Sequence, residues 1–345
     1  MEFIFLGTSS GIPTNTRNVS GLVIKRRNSK NWCLVDCGEG TQHQLLRLPY
    51  SLPKLDTIFI THVHGDHCYG LPGLLASAAM AGRKAPVTLI GPQGVWDFVS
   101  AAMSATDMHM SYDINFIDVD NIDSFRAENS FNVSVCALSH RVPSYAYVFD
   151  EVVNDAPLNT EKLEQESIPK GPLWGRLAKG EAITLGDGRI VRGEDYKLTP
   201  NKSRRIIVGG DNDTPALLHE HAQQCDVLIH ESTYTQAISE KVGPAPQHSS
   251  ARDVGVAAQK AGVKNLVLTH FSARYHLPLP LEKDRQVAEK GQQEKSENAI
   301  QSVFDEAKAH YSGELFLAND FDQFVLSAEG DIDRVSLLSN QKKLQ

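Results

Sequence analysis

The chain has 345 residues, 41% of them hydrophobic and 22% charged, a balance that supplies a sizeable core and argues against global disorder. Lys and Arg number 34 against 42 Asp and Glu, so at a formal charge of −8 any nucleic-acid contact must come from a local basic patch. Met1-Glu2-Phe3-Ile4 carries an acid where a secretory leader needs Lys or Arg, and no apolar stretch approaches the roughly 18 residues of a membrane span, so neither leader nor membrane association is expected.

In chain order, runs at 3–6, 20–24 and 32–35 predict strands, the first closed by a turn at 7–11. A helical pattern at 40–48 precedes an apolar strand, 55–61, that runs directly into His62. A helix is expected at 70–82, a strand at 86–90, a helix at 93–105, and strands at 113–118 and 131–138. The second half repeats the alternation, with strands at 205–209, 226–230, 265–269 and 314–318 and helices at 214–223 and 250–261. Such alternation predicts an α/β sandwich with sheets inside and helices outside, here one domain spanning 1–345. Polar residues collect where strands end, as open α/β sites require.

Three stretches break the rhythm. Residues 150–203 read as an excursion from the domain, with a hairpin turning at Asp187-Gly188. From 168 to 205 nine Lys/Arg stand against four acids, a local surplus in an acidic chain and therefore a partner signal. Residues 277–301, rich in Pro, Glu, Lys and Gln, read as a solvated insertion, and the tail 329–345 as frayed. Five cysteines (Cys33, Cys37, Cys68, Cys136, Cys225) form no CxxC pair, so reduced thiols and a cytoplasmic setting are expected.

His62-Val63-His64-Gly65-Asp66-His67 is the most informative segment. Imidazole and carboxylate donors suit a borderline divalent ion such as Zn²⁺. Gly65 lets the chain turn so that His62 and His64 face one ion while Asp66 and His67 face another. Four ligands do not fill two sites, so others must arrive from later strand ends; His140, Asp211 and His270 are placed for this, and Asp211 could bridge. A lone strand-end histidine is ordinarily packing or surface. The cluster is not. Two ions sharing a hydroxide form a template for phosphoryl hydrolysis.

The HxHxDH segment resembles the signature of the metallo-β-lactamase superfamily, whose fold is an αββα sandwich. More narrowly, Gly7-Thr8-Ser9-Ser10-Gly11-Ile12-Pro13-Thr14, Thr16-Arg17-Asn18, Asp36-Cys37-Gly38-Glu39-Gly40-Thr41-Gln42, Gly70-Leu71-Pro72-Gly73-Leu74-Leu75, His230-Glu231-Ser232-Thr233, His248-Ser249-Ser250, Thr269-His270-Phe271-Ser272-Ala273-Arg274-Tyr275 and Ala318-Asn319-Asp320-Phe321 resemble the ribonuclease Z family of tRNA 3′-processing endonucleases. The resemblance implies one zinc on His62, His64 and His140, a second on Asp66, His67 and His270, and Asp211 between them, with Mn²⁺ or another divalent ion as substitutes. It implies Asp66 as proton acceptor for the attacking water, His248 as general acid or phosphate contact, and Glu231 as the carboxylate behind it. The segment at Lys170-Gly171-Pro172, with Arg176, resembles the knuckle of a protruding flexible arm that grips tRNA, and Arg274 is a further substrate-binding candidate.

The function implied is cleavage of 3′ trailers from precursor tRNA by a hydroxide shared between two metals, in a homodimer whose arms serve each other's sites. The sequence departs from the family at Gly209-Gly210-Asp211-Asn212-Asp213-Thr214, two residues longer than the usual Gly-Asp-Thr, which makes Asp213 a rival ligand. The alternative is a small-molecule phosphodiesterase or arylsulfatase-like hydrolase of the same superfamily, which would not need the arm. A non-catalytic RNA-binding protein would have lost ligands, and all seven are present.

Overall fold

Phe3 and Phe5 face one way from the first strand and Ile4 and Leu6 the other, and all four are buried. Burial on both faces is why such strands read as continuous apolar runs rather than as alternating ones. The computed structural model describes residues 1–127, 131–152, 158–198, 203–223, 225–275 and 299–336. These fall into two units, Met1–Asp150 with Arg204 onward, and Glu151–Ser203. No helix among the described residues is long and apolar enough to cross a membrane.

In the larger unit the first sheet runs, edge to edge, Ile332–Ser336, Asp322–Leu326, Glu2–Gly7, Gly21–Lys25, Trp32–Cys37, Leu55–Phe59, Val87–Gly91, Ile114–Asp118. The second runs Glu314–Leu317, Asn265–Thr269, Val227–Glu231, Arg205–Gly209, Ser144–Glu151, Phe131–Leu138, Ser124–Ala127. Phe3, Phe5, Phe59 and Ile90 of the first sheet share one core with Tyr147, Phe149, Val208, Ile229 and Val267 of the second, so the sheets pack face to face. The outer face of the first is covered by the helices Leu71–Met80 and Gln93–Ala105, and that of the second by Ala251–Ala261 and Ile300–His310. The layers are α, β, β, α.

Phe59 sits at the centre of that core, its ring 5.0 Å from Tyr147 and 5.2 Å from Phe149. Phe59→Ala removes contacts that bind the two sheets, and should cost about 3–5 kcal/mol, read as a lower denaturant midpoint at unchanged slope.

The strand Ser144–Glu151 was not expected, because Tyr145, Tyr147 and two terminal acids blur its apolar pattern; the Tyr147 hydroxyl donates to the Ile60 carbonyl (2.8 Å) and the Tyr145 hydroxyl to Asp120, which lets both rings be buried. The helix expected over 214–223 is instead a 3₁₀ turn, Pro215–Leu218, and one α-turn, His219–Ala222. The helix Gln236–Val242 is likewise additional. The tail does not fray from 329: Gly330, at φ 81°, turns the chain so that Ile332–Ser336 pairs antiparallel with Asp322–Leu326, and with Ile332 alone buried among its described side chains this edge strand reads as polar. Residues 337–345 lie outside the described residues. So does 276–298, nearly all of the expected 277–301 insertion, whose last residues instead open the helix Ile300–His310.

The unit Glu151–Ser203 has a small core of its own, Leu163, Ile168, Leu177, Ile183, Val191 and Tyr196. Ala182–Thr184 and Ile190–Arg192 form the antiparallel hairpin expected there, turning through Gly188 at φ 86°. Two short helices accompany it: Thr160–Gln165, whose Asn159 side chain accepts from Lys162 N (2.9 Å), and Pro172–Ala178, with proline at its first position.

Candidate metal centre

The strand Leu55–Phe59 carries Thr61 and His62, both fully buried, past its carboxyl end, and a single helical turn, Gly65–Cys68, then presents Asp66 and His67. Gly38 makes room for that turn, since a Cβ there would lie 2.2 Å from the Asp66 carbonyl oxygen. His140 follows Phe131–Leu138, Asp211 follows Arg205–Gly209, and His270 follows Asn265–Thr269. Gly210 lets Asp211 come in, because its Cβ would meet Thr61 Cβ at 2.7 Å and Ser144 Oγ at 2.8 Å.

The donor atoms form two sets. In the first, His64 Nδ1 lies 3.1 Å from both His62 Nε2 and His140 Nε2, and Asp211 Oδ2 lies 3.5 and 3.7 Å from the latter two. In the second, His67 Nε2 and His270 Nε2 are 3.2 Å apart, and Asp66 Oδ2 lies 3.5 and 3.3 Å from them. The other oxygen of the same carboxylate, Asp211 Oδ1, is 3.5 Å from His67 Nε2 and 3.3 Å from His270 Nε2, so Asp211 faces both sets. Metal–nitrogen bonds of about 2.0–2.1 Å set tetrahedral neighbours about 3.3–3.4 Å apart, so both sets have the span of a first coordination sphere.

The outer ring nitrogens of His67, His140 and His270 are engaged elsewhere, which fixes their lone pairs inward. His67 Nδ1 donates to Asp36 Oδ2 (2.8 Å), His140 Nδ1 donates to the Gln247 carbonyl (2.8 Å), and His270 Nδ1 meets Thr233 Oγ1 (3.0 Å). Converging lone pairs and carboxylates repel one another unless cations sit among them, so the residues fit a pair of divalent ions. Asp36 and His270 hold left-handed backbones at φ 59° and 58°, a strain that non-glycine residues tolerate where surrounding structure imposes it.

The electrostatics agree. Burial, reinforced by His67, His64 and His140, pushes the His62 imidazole well below its ordinary range and so keeps it neutral. Burial alone would raise the Asp66 carboxyl, but His67 and His270 outweigh it and hold it far below the usual carboxylate range. Burial would lower His67, yet Asp66, Asp211 and Asp36 raise it strongly: three carboxylates demand a positive charge there, which a bound cation supplies in place of a proton.

Beside the second set, His248 Nδ1 lies 3.1 Å from Glu231 Oε1. Glu231 is buried and also accepts from Ser249 N (2.9 Å), Thr233 N (2.9 Å) and Thr233 Oγ1 (2.7 Å), so its position is fixed. Burial would lower the His248 imidazole, but Glu231, by charge and hydrogen bond, raises it to about 9. Asp211, His248 and His270 are also close enough to hold an ion, but His248 Nδ1 is committed to Glu231. The pocket over the centre, about 370 Å³, is walled by Gly11, Ile12, Glu39, Tyr69, Arg141 and His248. Its loop is tied to the centre where Gly11 N donates to Asp66 Oδ2 (2.8 Å), and Arg17 anchors the same loop through Thr8 Oγ1 (2.6 Å) and the Ala318 carbonyl (2.7 Å).

The structure thus brings His62, His64, Asp66, His67, His140, Asp211, His248, Glu231 and His270 together. Asp213 is in neither donor set; its carboxylate accepts from Thr214 Oγ1 (2.8 Å), while Asn212 takes up the longer loop by accepting from Ser139 N and Thr214 N and binding His230. Arg274 lies over the Tyr234 ring (5.3 Å), which in turn is 6.0 Å from His248. Lys170, Gly171, Pro172 and Arg176 belong to the smaller unit, where Lys170 pairs with Glu164 (2.7 Å) and Arg176 with Glu181 (2.7 Å). Sequence reasoning gave no role to Asp36, Thr61, Thr233 or Arg141. An acid ending a wholly apolar strand was the available signal for Asp36. Asp36→Asn should weaken metal binding by about 10–100-fold, read by titration against a chromophoric chelator.

The chain is 48% identical over 335 residues to a ribonuclease Z of Marinobacter nauticus, covering 97% of this chain and 99% of that one. It is 46% identical over 336 residues to a ribonuclease Z of Pseudomonas putida, with 97% and 99% covered. The family model described as anti-Pycsar protein Apyc1 matches residues 1–164. Among solved structures, human tRNase Z, short form, superposes with a TM-score of 0.60 at 25% identity, covering 95% of this chain and all of that one. A metallo-beta-lactamase fold protein of Bacillus subtilis gives 0.60 at 17% identity over 93% and 98% of the two chains, a likeness of fold. Two inner sheets flanked by helices, donors converging at strand ends and near-complete alignment with these relatives place the chain in the ribonuclease Z family, on the metallo-β-lactamase fold.

Proposed function

We propose that this chain is a divalent-metal endoribonuclease that removes 3′ trailers from tRNA precursors and leaves a tRNA 3′-hydroxyl. The observation that carries the reading is the pair of donor sets joined by Asp211 beneath an open pocket, with His248 and Glu231 in reach. The relatives' names supply the substrate class. Two ions per subunit fit the donors, and imidazole with carboxylate favours zinc, with Mn²⁺ the substitute. When bound, such a pair activates water and offsets charge on the phosphoryl oxygens.

The chain's own groups do the rest. Asp66, pinned by Gly11 N, is placed to take a proton from the attacking water. His248 presents Nε2 to the departing 3′-oxygen and gives it a proton, while Glu231 fixes the tautomer and favours the charged imidazole. Arg141 on the pocket wall adds positive charge for the phosphate.

The unit Glu151–Ser203, with Lys170, Gly171, Pro172 and Arg176, acts in this reading as the arm that holds the RNA body. Phosphate capture there proceeds by counterion release, and a folded RNA is held through its shape and backbone. A homodimer in which each arm serves the partner's site, Arg274 as a further substrate contact, and a cytoplasmic setting belong to the same proposal.

Metal-loaded protein incubated with a 3′-extended tRNA transcript should cut next to the discriminator base. An intact transcript, with bis(p-nitrophenyl) phosphate still hydrolysed, would favour a small-molecule phosphodiesterase instead. Replacing 151–203 by a short glycine linker should raise the tRNA KM by about tenfold or more. It should leave the small diester's kcat/KM unchanged, and equal losses on both would remove the arm's role.

A further inference from the structure

The strand registers place a second cavity at the end of the first sheet opposite the metal centre. Glu2 pairs with Lys25 and Trp32 with Leu55 at one end, while Gly7 pairs with Gly21 and Gly21 with Cys37 at the other, where His62 emerges. Lys54 immediately precedes the strand Leu55–Phe59, which leads to His62 eight residues later, roughly 25 Å of extended chain. The cavity at that far end measures about 550 Å³ and is lined by Glu2, Lys25, Lys30, Tyr50, Ser51 and Lys54, among others.

Its chemistry contrasts with the rest of the molecule. The turn that feeds it reads Lys25-Arg26-Arg27-Asn28-Ser29-Lys30, four cations with no acid, in a chain of net charge −8. Glu2 is the one acid on the cavity wall, 3.9 Å from Lys25. Lys30 and Lys54 are exposed, and among the described residues neither has an acidic partner. The Tyr50 ring is held against Trp32 (5.7 Å), which is itself fixed by Nε1 donating to the Ser51 carbonyl (3.1 Å). The Lys25 ammonium lies 5.6 Å from the centre of the Tyr50 ring, and can swing to a phosphate when a base stacks there. A braced aromatic ring among lysines, two of which have no acidic partner among the described residues, is the combination that binds single-stranded nucleic acid without reading its sequence.

We infer that this cavity binds single-stranded RNA, a base stacking on Tyr50 and Lys25, Lys30 and Lys54 holding the backbone. Given the proposed activity, on which this extension rests, the strand held there is the 3′ trailer of the precursor, leading away from the cut across the flank of the sheet. The far end of the sandwich then contributes to substrate retention, independently of the metal ligands and of the unit Glu151–Ser203.

The test is fluorescence anisotropy of a labelled oligouridylate on full-length, metal-loaded protein. Tyr50→Leu should weaken binding about tenfold, and the pair Lys30→Gln with Lys54→Gln should do so at least as strongly while lowering the slope of log affinity against log salt by about 0.7 per lysine. Hydrolysis of bis(p-nitrophenyl) phosphate by the metal-loaded variants should be unchanged, which shows that they are folded. Unaltered oligonucleotide affinity in these variants would overturn the site, and so would a mononucleotide binding as tightly as the oligonucleotide, which would mark a free-nucleotide pocket. On tRNA transcripts, the variants should lose efficiency with a long trailer and not with a single-nucleotide trailer. If no tRNA is cut at all while oligonucleotide binding behaves as described, the functional reading falls and the RNA site stands.

Discussion

Asp211→Ala should abolish nuclease activity and strip bound metal, lowering affinity for divalent ions by about 10²- to 10⁴-fold. The two oxygens of this carboxylate face different donor sets, Oδ2 the one built on His62 and His140 and Oδ1 the one built on His67 and His270. Its loss leaves the charge of both cations under-compensated in a site where Asp211 is 3% exposed. Removing one partner from a buried charge pair costs about 3–5 kcal/mol, which is the affinity loss quoted. Elemental analysis of the purified variant reads it directly. Full metal retention would pass the bridging role to Asp213, the neighbour the geometry leaves outside.

His248→Ala should lower kcat by about 10²- to 10⁴-fold while the protein keeps its metal, because its ring is bound to Glu231 and not to the donor sets. Glu231→Gln gives the sharper diagnosis. With His248 as the proposed acid, activity is lost as pH rises through its pKa. With Glu231 ionised beside it that pKa is raised to about 9, and the basic limb of the kcat profile lies near there. With glutamine the carboxylate's attraction disappears, and burial, which opposes the charged ring, is answered only by the more distant Asp211. The limb should then move down, toward the ordinary imidazole value of about 6.5, leaving less of the acid form at neutral pH. A profile that keeps its basic limb in Glu231→Gln would take the proton from some other group. A metal-loaded His248→Ala enzyme with normal kcat would do the same.

Much of this was legible in the chain, and the reasons are local. The strands that carry ligands are buried on both faces, so 55–61, 205–209 and 265–269 announce themselves as apolar runs, each followed within two residues by His or Asp. HxHxDH needs no long-range information to be recognised. What the sequence hid was whatever depended on a partner across the fold. Ser144–Glu151 is a central strand whose tyrosines become acceptable only once Asp120 and Ile60 take their hydroxyls. Asp36 looks like an ordinary strand terminus until His67, 31 residues on, is folded against it. The Asp211 loop seemed a two-residue disturbance; Asn212, completely buried and bonded on every side, absorbs the extra length and leaves Asp211 in place. Ile332–Ser336 is an edge strand and shows its character only through pairing.

The donors that gather round Asp211 begin at position 62 and end at position 270, and they are contributed from both sheets. A growing polypeptide emerging from the ribosome therefore holds no finished cradle until most of its length has been made, and the imidazoles at 62, 64 and 67 wait for partners synthesised far later. The complete donor sets exist only once both sheets have come together, so metal held by all of them acts as a lock on the finished fold. Ions that bind the finished form and not the open chain must raise its melting temperature with their concentration, and a chelator must lower it.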